Sequence, residues 1–239
     1  MAAPETEQLM PVAIVTGGSR GFGRAIATDL AKDGWKLVVD GRRERILVET
    51  AEELGSLGAV VLPVAGDVTD PEHRAALVAA ASDNGGLDLL VNNASTLGPS
   101  PLPSLDRFPL DALREIYEVN VVAPLALIQL ALPLLRRSHG TVVSVSSDAA
   151  VEAYEGWGGY GSSKAALDQA NRVLAAEESD LRVYQFDPGD MRTDMHQAAF
   201  PGEDISDRPE PEASVPPLRR LLESGAPSGR YRAADWSRS

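Results

Sequence analysis

The chain of 239 residues has no cysteine. Disulfides and thiolate zinc sites are therefore excluded. Histidine is nearly as scarce: His73, His139 and His196 are scattered, without metal-ligand spacing. Positive charge is short as well. Twenty-two Lys and Arg face 35 Asp and Glu, for a net charge of −13. That balance argues against a nucleic-acid binder, which needs a basic face. It favours solubility and says little about fold. No apolar run reads as long enough to cross a membrane. The opening MAAPETEQLM is acidic and polar, unlike a signal peptide. Asn93-Ala94-Ser95 matches a glycosylation acceptor, but without secretion the match reads as accidental. The rest is ordinary for a globular protein, with 44% hydrophobic and 24% charged residues. The length suits one α/β domain.

Apolar runs alternate with helical patterns from the start, which indicates a mostly parallel sheet with crossover helices. Strands are expected at 12–15, 36–39, 60–64, 87–91, 141–146, 181–186 and 230–233. Helices are expected at 21–32, 44–57, 71–82, 106–137, 160–178 and 218–223. Pro124 and Pro133 should bend the long one. The stretch 187–217 holds Pro188, Pro201, Pro209, Pro211, Pro216 and Pro217 among several carboxylates. It reads as a long irregular segment, of the kind that is usually functional or disordered. The chain thus divides into a core at 10–186, this segment at 187–217, and a terminal helix and strand at 218–239.

Two groups of residues carry chemistry. TGGSRGFG at 16–23 stands where the first strand ends and the first helix begins. Gly17, Gly18, Gly21 and Gly23 let the backbone turn sharply and approach a pyrophosphate, which free N–H groups at the helix start attract. No Gly-Lys-Ser/Thr follows, so this is not a Walker loop. Further on, Tyr160 and Lys164 share one helix face at i, i+4, and Ser147 lies 13 residues before Tyr160. A hydroxyl acid, a cation and a second hydroxyl are the groups needed for proton-coupled hydride transfer. Ser144 and Ser146 compete with Ser147. Alternation puts those two on one face of the fifth strand and Ser147 at its exit, where sites in open α/β sheets form.

TGGSRGFG, NNAS at 92–95, Asn120, Ser147, YGSSK at 160–164 and DPGDMRT at 187–193 occur in the order of the short-chain dehydrogenase/reductase family. The chain resembles that family from about residue 11 to 194. The resemblance implies a single-domain Rossmann-like, doubly wound fold with helices on both faces of the sheet, and a nicotinamide cofactor. It implies that Tyr160 is the general acid in reduction and the base in oxidation. Lys164 would lower the Tyr160 pKa and hold the nicotinamide ribose. Ser147 would polarise the substrate oxygen. Asn120 would bind a water that passes protons to Lys164; its alternative is a helix–helix hydrogen bond.

For the cofactor, the resemblance implies contacts from Gly17, Ser19, Arg20, Gly21, Phe22 and Gly23 in the turn. Asp67 would meet the adenine amino group, beside Val68, unless it is only a turn-forming aspartate. Ala94 would leave room for the adenine ribose next to Asn93, and Asn92 would tie neighbouring strands. Ser95 stands where family members commonly have glycine. Pro188 and Gly189 would end the sixth strand, and the Met191 backbone and Thr193 side chain would meet the carboxamide. Asp190 faces substrate or caps the next helix. Tyr154 and Trp157 would wall the substrate pocket, and Met195, His196 and Phe200 would cover it; ordinary packing is the alternative for all five.

The second strand bears on cofactor choice. An acidic residue directly after it would favour NAD. Asp40 looks like that residue, but matching LVVDGRR to the family puts Gly41 at the discriminating position and Arg42 after it. With Arg20, this favours NADP(H) over NAD(H). The expected activity is reversible reduction of a ketone or aldehyde. Alternatives are an NAD-linked alcohol dehydrogenase, a C=N reductase, or a dinucleotide-sensing interaction protein that does no chemistry. Expected partners are a small carbonyl or alcohol and further copies of the chain, giving a homodimer at least, with a homotetramer as the alternative. Leu125, Leu127, Leu130 and Leu134 would supply apolar surface for pairing. No nucleic acid, membrane or metal is expected, and the expected location is the cytoplasm.

Overall fold

The computed structural model describes residues 10–237. The acidic opening, residues 1–9, and positions 238–239 lie outside the described residues. Seven strands form one sheet: β1 Val12–Val15, β2 Lys36–Gly41, β3 Val60–Ala65, β4 Leu89–Asn92, β5 Thr141–Val145, β6 Arg182–Asp187 and β7 Gly229–Arg232. Their order is β3-β2-β1-β4-β5-β6-β7. Each of the six pairings is parallel. The chain winds outward from β1 to β3, then crosses back to β4 on the other side of β1. The carboxyl ends of β1 and β4 therefore flank the crevice where ligands enter open α/β sheets.

Both sheet faces are buried, so the strands read as continuous apolar runs. Alternate residues serve opposite layers. Ala13, Val15, Val39, Val91, Val143 and Phe186 pack on Ile26 of α1 (Gly21–Lys32), Leu47 of α2 (Glu44–Gly55) and Leu218 of α8 (Val215–Ser224). Ile14, Val38, Leu90, Val142 and Val183 pack on Leu77 of α3 (Pro71–Asp83) and on Leu127 and Leu174 of the long crossover helices. Asp70 starts α3 by accepting from the Glu72 N–H, with Pro71 at the first helical position.

The long helix differs from its expected form. It comprises α4 (Leu110–Tyr117), a π-helical turn at Glu118–Val122, and α5 (Ala123–Ser138). Phe108 and Pro109 separate it from a 3₁₀ turn at Leu105–Arg107. Its irregularity centres on Asn120, just ahead of Pro124, which sits in the first turn of α5. Unbroken over Leu110–Ser138, this helix is long and apolar enough, by length and composition, to cross a membrane. That corrects the reading of no such run. In the fold one side of it belongs to the core. Leu127 and Leu134 are buried, whereas Leu125 and Leu130 are exposed, so only the latter pair can serve a second chain.

The segment expected to be irregular contains α7 (Asp194–Ala199) and a 3₁₀ turn at Pro211–Ser214. Pro211 opens that 3₁₀ turn. Pro216 and Pro217 lie in the first turn of α8, where a missing N–H costs nothing. α6 spans Gly158–Glu177.

Candidate active site

A cleft of about 1500 Å³ runs along the carboxyl ends of the strands. Its cofactor end is built by the β1–α1 turn. Gly17 has φ +64°, and a Cβ there would lie 2.9 Å from the Asn93 Nδ2. At Gly23 it would lie 2.4 Å from the same atom. Glycine thus lets the turn press against the end of β4. Asn93 secures it by donating from Nδ2 to the carbonyls of Thr16 (2.8 Å) and Gly17 (3.3 Å). The Thr16 hydroxyl accepts from the N–H groups of Asn93 (2.9 Å) and Ala94 (3.0 Å). Asn92, expected to make the strand tie, is buried with neither end of its amide bonded within the described residues. The correction is one residue long: pleating turns Asn92 into the sheet interior and Asn93 toward the turn.

The N-terminus of α1 has no side-chain cap and no acidic residue in its first turn. Its free N–H groups and dipole suit an anion. A dinucleotide pyrophosphate fits this cradle. Gly17, Ser19, Arg20, Gly21 and Phe22 line the cleft; Gly23 does not, and serves close packing instead. Arg42, Asp67, Val68, Asn93 and Ala94 line it farther out. Asp67 makes the turn that was its alternative reading, accepting from the Thr69 N–H (2.9 Å) and hydroxyl (2.8 Å), yet still borders the cleft. Burial pushes its carboxyl up, but those bonds, with Arg42 and His73 nearby, bring it below the usual range.

Tyr160 and Lys164 lie near the start of α6, both buried. The Lys164 ammonium sits 5.4 Å from the centre of the Tyr160 ring and donates to the Val145 carbonyl at 2.9 Å. Burial raises the Tyr160 pKa above its ordinary value. Asp187 and Asp148 add to the rise, and hydrogen bonds with Ser147 and Ser95 oppose it. This reverses the expected lowering. The ammonium lies over the ring and bonds to backbone, so desolvation of the phenolate prevails. Burial lowers Lys164 to about 8, against the pull of Asp168.

Ser147 leaves β5 at the cleft. Its hydroxyl accepts from the Ala149 N–H (3.2 Å) and donates to Asp148 (3.0 Å). The Ser146 hydroxyl is committed to Asp168 at 2.8 Å, and Ser144 is fully buried and does not line the cleft. Ser147→Ala should therefore cut turnover about 10²-fold or more, as loss of one donor to a developing oxyanion does. Steady-state kinetics should show smaller losses for Ser144→Ala and Ser146→Ala; the reverse order would overturn the assignment.

The Asn120 side chain is fully bonded within the protein. Its Nδ2 donates to the Thr96 carbonyl (2.9 Å) and the Ser163 hydroxyl (3.0 Å). Its Oδ1 accepts from the Thr96 N–H (2.8 Å) and the Ser95 hydroxyl (3.1 Å). The side chain has no hydrogen-bonding capacity left for a water. The side chain ties the loop after β4 to α6, and Ser95, in place of glycine, supplies one of its partners; the expected water would then fall to the Asn120 backbone carbonyl.

Pro188, Gly189, Met191 and Thr193 line the cleft beyond β6. Thr193 caps α7, accepting from the His196 N–H at 3.2 Å. Asp190 is therefore not the cap. It faces the cleft, 3.8 Å from His196 Nδ1 and 3.6 Å from Arg208 Nε. Tyr154, Trp157, Met195, His196 and Phe200 all line the cleft near Tyr160. Trp157 stands edge-on to Tyr160 at 5.7 Å and packs against Phe200 at 6.0 Å.

Three features escaped the sequence reading. Thr16 stood inside the glycine motif as a signal. The buried pair of Asp40 with His73 and the arginine Arg230 gave none, because each depends on a partner distant in sequence.

A parallel sheet with a glycine cradle at its switch point, and a Tyr–Lys pair beside a serine, defines a dinucleotide-dependent oxidoreductase. The model of the short chain dehydrogenases matches residues 11–204. The chain is 37% identical to the sepiapterin reductase of Mus musculus over 201 residues, 79% of this chain and 77% of that protein. An uncharacterised oxidoreductase of Saccharomyces cerevisiae is 37% identical over 187 residues, 77% of this chain and 72% of that one. Among solved structures, an alcohol dehydrogenase from Thermococcus sibiricus, complexed with 5-hydroxy-NADP, superposes with TM-score 0.84 at 27% identity. The match covers 93% of this chain and 95% of that one. The protein belongs to the short-chain dehydrogenase/reductase family and is an oxidoreductase.

Proposed function

We propose that the protein reduces a ketone or aldehyde with NADPH, reversibly as an alcohol dehydrogenase, as one domain acting in the cytoplasm. The observation that carries this reading is the meeting of Tyr160, Lys164 and Ser147 in the same cleft as the uncapped glycine turn at the start of α1. A protonated phenol is what carbonyl reduction needs as its general acid. The nicotinamide would supply the hydride. Ser147 turns its hydroxyl from Asp148 to the substrate oxygen. Tyr160 gives its proton to that same oxygen. Lys164 holds the ribose and places positive charge behind the phenol. Trp157 and Phe200 keep water from the reacting carbon. The mouse relative is named a reductase, and the Thermococcus enzyme is complexed with an NADP derivative, which agrees with this direction and cofactor. Oxidation of NADPH, followed at 25 °C against a panel of ketones, aldehydes and cyclic imines, tests it. Turnover is expected with carbonyl compounds; turnover confined to imines, or none with any member, would refute the reading.

The oligomer belongs to the same proposal. Leu110, Val122, Leu125 and Leu130 expose apolar surface along the α4–α5 helix, and Val173 does so on α6. Burying them against a second copy gives a homodimer, the minimum state expected; a tetramer needs a further interface. Light scattering at micromolar concentration should give at least twice the 25.3 kDa chain mass; a monomer mass would refute pairing.

A further inference from the structure

Arg230 lies on β7, the edge strand, far in sequence from every residue of the reacting pair. Its guanidinium is nonetheless largely buried, with 14% of the side chain exposed. Nη2 donates to the Ser147 carbonyl at 2.8 Å and to Asp187 Oδ2 at 2.9 Å. Nε reaches Asp168 Oδ2 at 3.3 Å. These acceptors come from three elements that form the site: the exit of β5, the end of β6 and the middle of α6. Asp168 is one helical turn beyond Lys164 and also accepts from Ser146. Asp187 opens the loop to Asp190 and accepts from the Gly189 N–H at 3.0 Å. Two buried carboxylates beneath a phenol and an ammonium would be costly without a counter-charge. An arginine fork can meet both and a backbone carbonyl together, which lysine cannot.

We propose that Arg230 is a positioning residue for the Tyr160–Lys164 pair, fixing the Ser147 backbone and neutralising Asp168 and Asp187 behind it. The inference rests on the reading of Tyr160 and Lys164 as the reacting pair. The charged groups facing them are few. Asp168 faces Lys164 and is itself flanked by Arg230 and Arg172, and Asp187 and Asp148 face Tyr160. Losing Arg230 leaves Asp168 uncompensated, so the charged form of Lys164 is favoured. Tyr160 meanwhile faces an unpaired Asp187 and becomes a poorer acid.

The test reads Lys164 directly. The chain has three lysines, Lys32, Lys36 and Lys164, so [ε-13C]lysine labelling gives three NMR signals to follow with pH, without substrate or cofactor. In the parent protein Lys164 should titrate lowest. In Arg230→Met its midpoint should rise by about one unit, and in Arg230→Met/Asp168→Asn it should fall back. Arg230→Lys should stay close to the parent in midpoint while losing the fork and slowing turnover. A folded Arg230→Met protein with Lys164 unmoved would overturn the proposal. Should Arg230→Met fail to fold by circular dichroism, Asp168→Asn alone decides. Its Lys164 midpoint must fall, and an unchanged midpoint would equally overturn the proposal. Active Tyr160→Phe enzyme would sink the catalytic reading instead, and leaves these titrations separately readable.

Discussion

Tyr160→Phe should retain cofactor affinity and lose nearly all turnover, by about 10³-fold or more. General acid catalysis by a positioned side chain typically contributes 10²–10⁴-fold, and about 4 kcal/mol of barrier corresponds to the expected loss. The substitution removes one oxygen and preserves the ring that packs against Trp157 and lies under the Lys164 ammonium. Folding should therefore be little disturbed. NADPH affinity by fluorescence titration, beside single-turnover reduction, separates binding from chemistry. Comparable turnover in the mutant would end the assignment of Tyr160 as the acid.

NADPH should be used far more efficiently than NADH. The decision rests on where the Asp40 carboxylate goes. It is buried, accepting from the Gly17 N–H at 2.5 Å through one oxygen and meeting His73 Nε2 at 3.0 Å through the other. A carboxylate so occupied holds the glycine turn and is withdrawn from a ribose. β2 runs two residues past its expected end, through Gly41, so the next side chain to face the cleft freely is Arg42. Gly41 itself carries no side chain, so no carboxylate stands at that position. Arg20 was expected to join Arg42, but it pairs with Asp194 at 2.7 Å across the cleft mouth. Arg42 therefore carries more of the expected selectivity. A hydrogen bond to a charged group contributes about 1.5–3 kcal/mol, so Arg42→Ala should cost roughly 10- to 100-fold in kcat/KM with NADPH and little with NADH. Arg20→Ala should cost less. Equal efficiency with both cofactors in the parent protein, or unchanged preference in both mutants, would return the choice to Asp40.

Much of this was legible in the chain. β1 and α1 begin and end where pattern and glycine spacing put them, because those signals are local. The Tyr160–Lys164 face follows from helical geometry alone, and the position of Ser147 from strand alternation. Errors came where local signals misled. Pro216 and Pro217 read as breakers but start α8, and the Thr193 cap of α7 was lost among the prolines around it. The tie expected of Asn92 falls to Asn93 because β4 ends one residue later than its pattern suggested.

The sequence by itself determined the family, the alternating α/β order, the glycine cradle, the shared helix face of Tyr160 and Lys164, and the place of Ser147 at a strand exit. Each lies within a few residues of the signal that reveals it. Tertiary structure alone decided which charges meet. Asp40 with His73, Arg20 with Asp194, and Arg230 with Asp168 and Asp187 are joined across separations of 33 to 174 residues. No spacing rule announces such pairs. A buried charge takes whatever counter-charge the packed elements bring within reach, and that is settled only when the sheet and its helices close.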